Sequence, residues 1–175
     1  MIWELDYWYL LDYYHYMIIM GIDPGIAITG WGVIDEHNRQ PSCLDVGVIT
    51  TDKTDTLEDR LVILFTDMNE LLQRYQPDVV VLEQLFFNTN AKTALTVGHA
   101  RGVIMLAARL SGSQLFAYTP LQVKIAITGY GRADKQQIQQ MVTKLLKLDA
   151  IPKPDDAADA LAIALTHSFS TRFGY

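Results

Sequence analysis

The residues best placed to do chemistry are four carboxylates: Asp23, Glu83, Asp156 and Asp159. Asp23 follows the apolar run MIIMGI and precedes Pro-Gly, so it stands where a strand ends. A carboxylate at the C-terminal end of a parallel strand faces the crevice in which α/β sheets bind ligands. The competing explanation is an Asp opening an Asx-type turn. Glu83 repeats the arrangement after VVVL. If the first and fourth strands are neighbours, the two acids lie side by side at one sheet edge, where they repel each other. A divalent cation relieves that repulsion, and an all-oxygen ligand set suits Mg²⁺ or Mn²⁺ rather than zinc. Salt-bridged strand ends would also account for the pair.

Asp155, Asp156 and Asp159 lie in KPDDAADALAIALTH, where a helix starts just after Pro154. Asp156 and Asp159 are separated by three residues and so share one face of its first turn. Acids at a helix N-terminus are favoured by the dipole, which explains Asp155 and Asp156 without further function. Asp159 lies deeper, among Ala and Leu, and a buried Asp needs partners. Four carboxylates can hold two ions ~3.5–4 Å apart, an arrangement that stabilises both the attacking and the leaving oxygen in phosphodiester cleavage.

The elements that must position these acids read as an α/β domain. MIIMGI, residues 28–34 and residues 44–50 are three short strands joined through the turn-rich DEHNRQPS, which favours an antiparallel meander. From 55 to 75 the apolar residues recur at three and four, with Asp55 and Glu58 as a capping pair, which predicts an amphipathic helix ended by Pro77. Residues 79–82 are a β-branched run fit for a doubly covered parallel strand. The loop QLFFNTN leads to a helix over about 91–110, a fifth strand over 114–118, and helices at about 120–127, 134–147 and 155–169. The expected architecture is a five-stranded mixed sheet with helices on both faces.

Composition is compatible with a single domain of 175 residues, half of them hydrophobic. The one cysteine, Cys43, excludes an internal disulfide framework and fits a cytoplasmic protein; beside a strand, it is a packing residue. No apolar run reaches the ~18–20 residues that would span a bilayer. The net charge of −6 hides an asymmetry: residues 1–83 carry fifteen acids and four bases, whereas 84–148 carry eight bases and one acid, Asp134. A local basic surface can bind a polyanion whatever the net charge, although it can equally be a solvated face. His37, His99 and His167 lack zinc-site spacing. Residues 1–16, MIWELDYWYLLDYYHY, hold two of the three Trp, five of the nine Tyr and no Lys or Arg. They read as an appendage to a domain over 17–175, or as an aromatic helix docked on it or on a partner. Ala91, Ala94, Gly98 and Gly102 form a small-residue stripe that could admit a second backbone or simply pack on the chain's own sheet.

The blocks GIDPGIAITGWGVI, LEQLFFNTNAKTAL, GHARGVIMLAA, QVKIAITGYGRADKQQIQQMV and PDDAADALAIALTH, in order from about 18 to 167, resemble those of the RuvC family of Holliday-junction resolvases. The resemblance implies an RNase H-like fold and a Mg²⁺-dependent endonuclease. It would resolve four-way DNA junctions by paired hydrolytic nicks in homologous recombination and DNA repair. It matches Asp23, Glu83, Asp156 and Asp159 to the family's metal-binding carboxylates, with two ions and Mn²⁺ as a substitute. Phe86 matches an aromatic that reaches into the junction, and Lys124 and Lys135 match basic residues near the scissile phosphate. A homodimer formed through the 91–110 helix and the branch-migration proteins RuvA and RuvB are the implied partners. The family assigns no role to Asp155 or to residues 1–16.

Three other readings stand beside it. An actin-like or sugar-kinase-like phosphotransferase opens with a similar turn but needs a second domain copy, for which 175 residues leave no room. A nuclease of the same superfamily could act on another nucleic acid. A junction-binding module without activity is opposed by the retention of all four acids.

Overall fold

A computed structural model of the chain describes residues 16–84 and 91–172. Three strands come first: β1 (Tyr16–Asp23), β2 (Ile28–His37) and β3 (Gln40–Thr50). Helix α1 (Leu57–Tyr75) follows, then β4 (Val79–Glu83), α2 (Ala91–Leu110) and β5 (Gln114–Tyr118). The chain continues through α3 (Pro120–Thr128), α4 (Lys135–Leu145) and α5 (Asp155–Arg172). The five strands form one sheet in the order β3-β2-β1-β4-β5. β1–β2 and β2–β3 pair antiparallel, whereas β1–β4 and β4–β5 pair parallel.

The meander is longer than its turn-rich linker suggests. β2 runs on to His37 and β3 resumes at Gln40, so most of DEHNRQPS is strand. The reversal is made by Asn38 and Arg39 alone, with φ of 51° and 62°. Such a two-residue turn matches the twist of its strands, and Asn tolerates the left-handed conformation. At the other end, β1 begins at Tyr16, one residue earlier than the apolar run implies; residues 1–15 lie outside the described residues.

The cap of α1 is displaced by one residue from the expected Asp55–Glu58 pair. Thr56 is the N-cap: its hydroxyl accepts from the Asp59 N–H at 3.2 Å and donates to the Asp59 carboxylate at 2.7 Å. Asp55 is engaged instead in a turn, its N–H bonded to the Asp52 carbonyl. Pro77 follows a left-handed Gln76 that closes the helix. Full capping boxes start α3 (Thr119 with Gln122) and α4 (Asp134 with Gln137).

Helices cover both faces of the sheet. α1 and α2 bury Leu64, Met68, Leu72 and Ile104 against Met20, Ile22, Val80 and Leu82. On the other face α3, α4 and α5 pack Val123, Val142, Leu161 and Leu165 against Ile19, Ile34 and Val81. α5 lies directly on the backbone of β1 and β2. A Cβ built on Gly21 would stand 2.1 Å from the Ala160 carbonyl oxygen, and one on Gly30 2.0 Å from that of Asp156. Glycine at these positions lets helix and sheet approach without an intervening side chain.

Candidate active site

Asp23 and Glu83 end neighbouring strands. The parallel β1–β4 register places Ile22 opposite Leu82, so the next residue of each strand is an acid. Adjacent strands lie about 4.8 Å apart, which fixes how closely the two backbones can present their carboxylates. Asp159 arrives from above, on the second turn of α5. These three line one cleft of about 200 Å³ together with Lys124 of α3 and Lys135 of α4. Val123 and Ile138 complete its apolar wall. Asp156 does not line the cleft, but it stands in the first turn of α5 with its backbone pressed on Gly30, and its charge bears on Asp23.

The turn after Asp23 is closed by Thr29: its hydroxyl donates to the Gly25 carbonyl at 2.5 Å and accepts from the Gly25 N–H at 3.4 Å. An Asx-type turn is therefore not what Asp23 is needed for. Burial pushes its carboxyl up to about 7, with the charges of Glu83, Asp159 and Asp156 adding to the effect and Lys135 opposing it. Burial also raises Glu83, followed by the Asp159 charge and opposed by Arg101. Asp159 is raised by burial too, against its bond to Lys135. Buried acids that raise one another in a cleft form an oxygen donor set suited to a hard cation. Among the described residues no three acidic, His or Cys side chains converge closely enough to hold an ion in the present rotamers. Mutual repulsion disfavours that convergence, and Lys135 draws one Asp159 oxygen to 2.9 Å. The donor set, carboxylate oxygens gathered at one cleft, is of the type that suits a divalent ion.

The Lys135 ammonium is held above its ordinary range, chiefly by that hydrogen bond to Asp159. Asp155 lies 3.7 Å from Lys135 and 3.0 Å from Lys153, in an exposed network outside the cleft. Phe86 lies outside the described residues. Arg101 on α2, to which sequence reasoning gave no role, donates to the backbone carbonyl of Glu83. The glycine contacts under α5 were missed as well; glycine in the interior of a strand is the signal that could have found them.

Among the described residues, the histidines and the cysteine do not line the cleft. His37 and His99 are exposed. His167 is 2% exposed, bonded through Nδ1 to the Tyr118 hydroxyl at 3.0 Å and packed on the Phe116 ring. Cys43 packs against the core beneath α5.

The RuvC family model, described as crossover junction endodeoxyribonuclease RuvC, matches residues 19–167. The chain is 56% identical to the RuvC of Ruminiclostridium cellulolyticum over 158 residues, which is 90% of this chain and 95% of that one. It superposes on the Thermus thermophilus RuvC structure with a TM-score of 0.84 at 37% identity, covering 90% of this chain and 97% of that one. For the T. thermophilus RuvC in complex with Holliday junction substrate the TM-score is 0.83 at 35% identity, with the same coverage. Sequence and fold agree along nearly the whole described length, and the chain belongs to the RuvC family of crossover junction endodeoxyribonucleases.

Proposed function

We propose that this endonuclease resolves four-way DNA junctions in recombination and repair, with Asp23, Glu83, Asp156 and Asp159 as ligands for two Mg²⁺ ions. Nucleases of the family are metal-dependent. The observation that carries the reading is one cleft lined by three acids from β1, β4 and α5 and by two lysines. When bound, the ions supply charge stabilisation for the attacking and leaving oxygens, and Mn²⁺ can substitute. The chain's own contribution is placement. Strand spacing sets Asp23 against Glu83, α5 brings in Asp156 and Asp159, and Lys124 and Lys135 draw the phosphodiester into the cleft. Phe86 is assigned to stacking on bases at the crossover. The RNase H-superfamily alternative, another nucleic-acid substrate, has no support from relatives, which carry the crossover-junction name.

The working unit is a symmetric homodimer, because paired nicks in a two-fold junction need two related sites. The stripe on α2 supports this. Among the described residues, a Cβ at Gly98 or Gly102 would meet nothing within 4 Å, so neither glycine packs on the chain's own sheet. Leu95, Leu106 and Leu110 are 63%, 56% and 69% exposed along the same helix. An apolar, small-residue face of this kind is suited to a second copy. RuvA and RuvB are the further partners and the cytoplasm the compartment; among the described residues no helix is long and apolar enough to cross a membrane. The nuclease domain takes in Tyr16, the first residue of β1, and residues 1–15 are an appendage to it.

The test is cleavage of a mobile four-way junction and of linear duplex with the same sequences, with and without Mg²⁺. Symmetric, ligatable nicks confined to the junction are expected, and Glu83→Gln or Asp159→Asn should abolish them while junction binding persists. Equal nicking of linear duplex would refute the resolvase reading.

A further inference from the structure

Arg101 completes a hydrogen-bond ladder that the sequence of β1 leaves open. Alternate residues of β4 turn their peptide groups to opposite neighbours. The Gln84 N–H bonds the Tyr118 carbonyl of β5 at 2.7 Å, and the Asp78 carbonyl accepts from Gln114 at 2.9 Å. Even-numbered positions therefore face β5, and the peptide group of Glu83 faces β1. With Ile22 opposite Leu82, the donor due to the Glu83 carbonyl is the nitrogen of residue 24. That residue is Pro24, which has no N–H. The β1–β4 pairing stops at this point, beside the two acids. Arg101 reaches down from α2 and donates its Nη1–H to the Glu83 carbonyl instead. Its guanidinium is half-buried there.

We infer that Arg101 is a positioning residue: it replaces the donor that Pro24 lacks and so fixes the backbone from which the Glu83 carboxylate projects. It also ties α2 to the end of β4 across the intervening loop. The assignment rests on the reading of Glu83 as a metal ligand. A partner that orients a ligand in this way is commonly worth ten- to a hundredfold in metal affinity.

The test is Mn²⁺ binding to the full chain without DNA, followed by electron paramagnetic resonance, with melting temperature and junction affinity in EDTA measured alongside. Arg101→Gln should weaken Mn²⁺ binding about tenfold or more while junction affinity stays within about twofold. Arg101→Lys, which keeps a donor, or Pro24→Ala added to Arg101→Gln, which restores the backbone N–H, should recover much of the loss. A folded Arg101→Gln protein that binds Mn²⁺ like the wild type overturns the inference. So does a loss that neither Arg101→Lys nor Pro24→Ala relieves, since that is a packing defect and not a missing donor. Glu83→Gln serves as the reference: if it binds Mn²⁺ normally, the ligand assignment itself fails.

Discussion

Asp23→Asn should make the metal-free protein more stable at alkaline pH, although it removes a residue from the proposed active site. The Asp23 carboxyl is pushed from 3.8 up to about 7 by burial and by three neighbouring acids. Between those two values the folded chain retains a proton that the unfolded chain has released. Wild-type stability therefore falls as pH rises from about 4 to about 7 and levels off above that. A shift of about three units at 1.36 kcal/mol each bounds the loss at about 4 kcal/mol. Asparagine carries no charge, but it leaves a polar amide in the same half-buried place, which costs about 1–3 kcal/mol. The expected net gain at pH 8.5 is about 2 kcal/mol, or roughly 4–8 °C in melting temperature for a chain of this size. Thermal melts followed by circular dichroism in EDTA across pH 4–9 would measure it. At pH 4 the sign should reverse, leaving Asp23→Asn the less stable by about 2 kcal/mol, the amide cost alone. Added Mg²⁺ should raise the melting temperature of the wild type more than that of Asp23→Asn. Parallel melting curves for the two proteins across the whole pH range would show that Asp23 is ionised without penalty, and the electrostatic description of the cleft would fail.

Lys124→Ala and Lys135→Ala should each lower the salt slope of junction binding by about one, as expected for one lost phosphate contact; unchanged slopes would leave both lysines as solvated surface. Gly30→Ala should destabilise the protein by at least about 2 kcal/mol in urea denaturation and impair cleavage, because its Cβ would meet the Asp156 carbonyl oxygen at 2.0 Å. Gly102→Glu should leave the fold of the single chain intact, since among the described residues nothing stands within 4 Å of its Cβ, yet shift sedimentation from dimer to monomer. A Gly102→Glu protein that stays dimeric would move the interface off this helix face.

The strands were legible because their apolar runs end abruptly at charged or turn residues: VVVL before Glu83 and MIIMGI before Asp23 correspond closely to β4 and β1. Neighbouring placement of β1 and β4 could only be posed as a condition, since pairing partners are set by packing across the whole sheet, and the structure meets it. The β2–β3 turn is broader in the sequence than in the fold because Asp, Glu, Gln and Ser suit either a loop or a solvated strand edge, and only Asn38-Arg39 of that stretch takes the left-handed conformation. The α1 cap lies one residue later for a related reason: Asp55 and Thr56 are both competent caps, and it is the Thr56 hydroxyl that meets the Asp59 N–H. Lys135 was reached only through family resemblance, since its 2.9 Å contact with Asp159 joins residues 24 positions apart in sequence. Arg101 was legible only after the register was known.

The contact of α5 with β1 and β2 is backbone against backbone, at Gly21 and Gly30. Such a contact has no rotamers with which to absorb an error, so helix and sheet are clamped as one piece. Gly30 meets the Asp156 carbonyl and Gly21 meets Ala160 and Ala164, so Asp156 and Asp159 both lie within the clamped stretch, which the buried residues Thr166, His167 and Ser168 continue. His167 lies eight residues, about 12 Å, beyond Asp159 along the axis. Enlarging a side chain at that distant end would load the clamp itself, and any slide of the helix along the sheet would carry both acids together. Tyr118 also pairs with Glu83 across the β4–β5 register, so substitutions around the Tyr118–His167 bond, although neither residue lines the cleft, should be tested for cleavage as well as for folding.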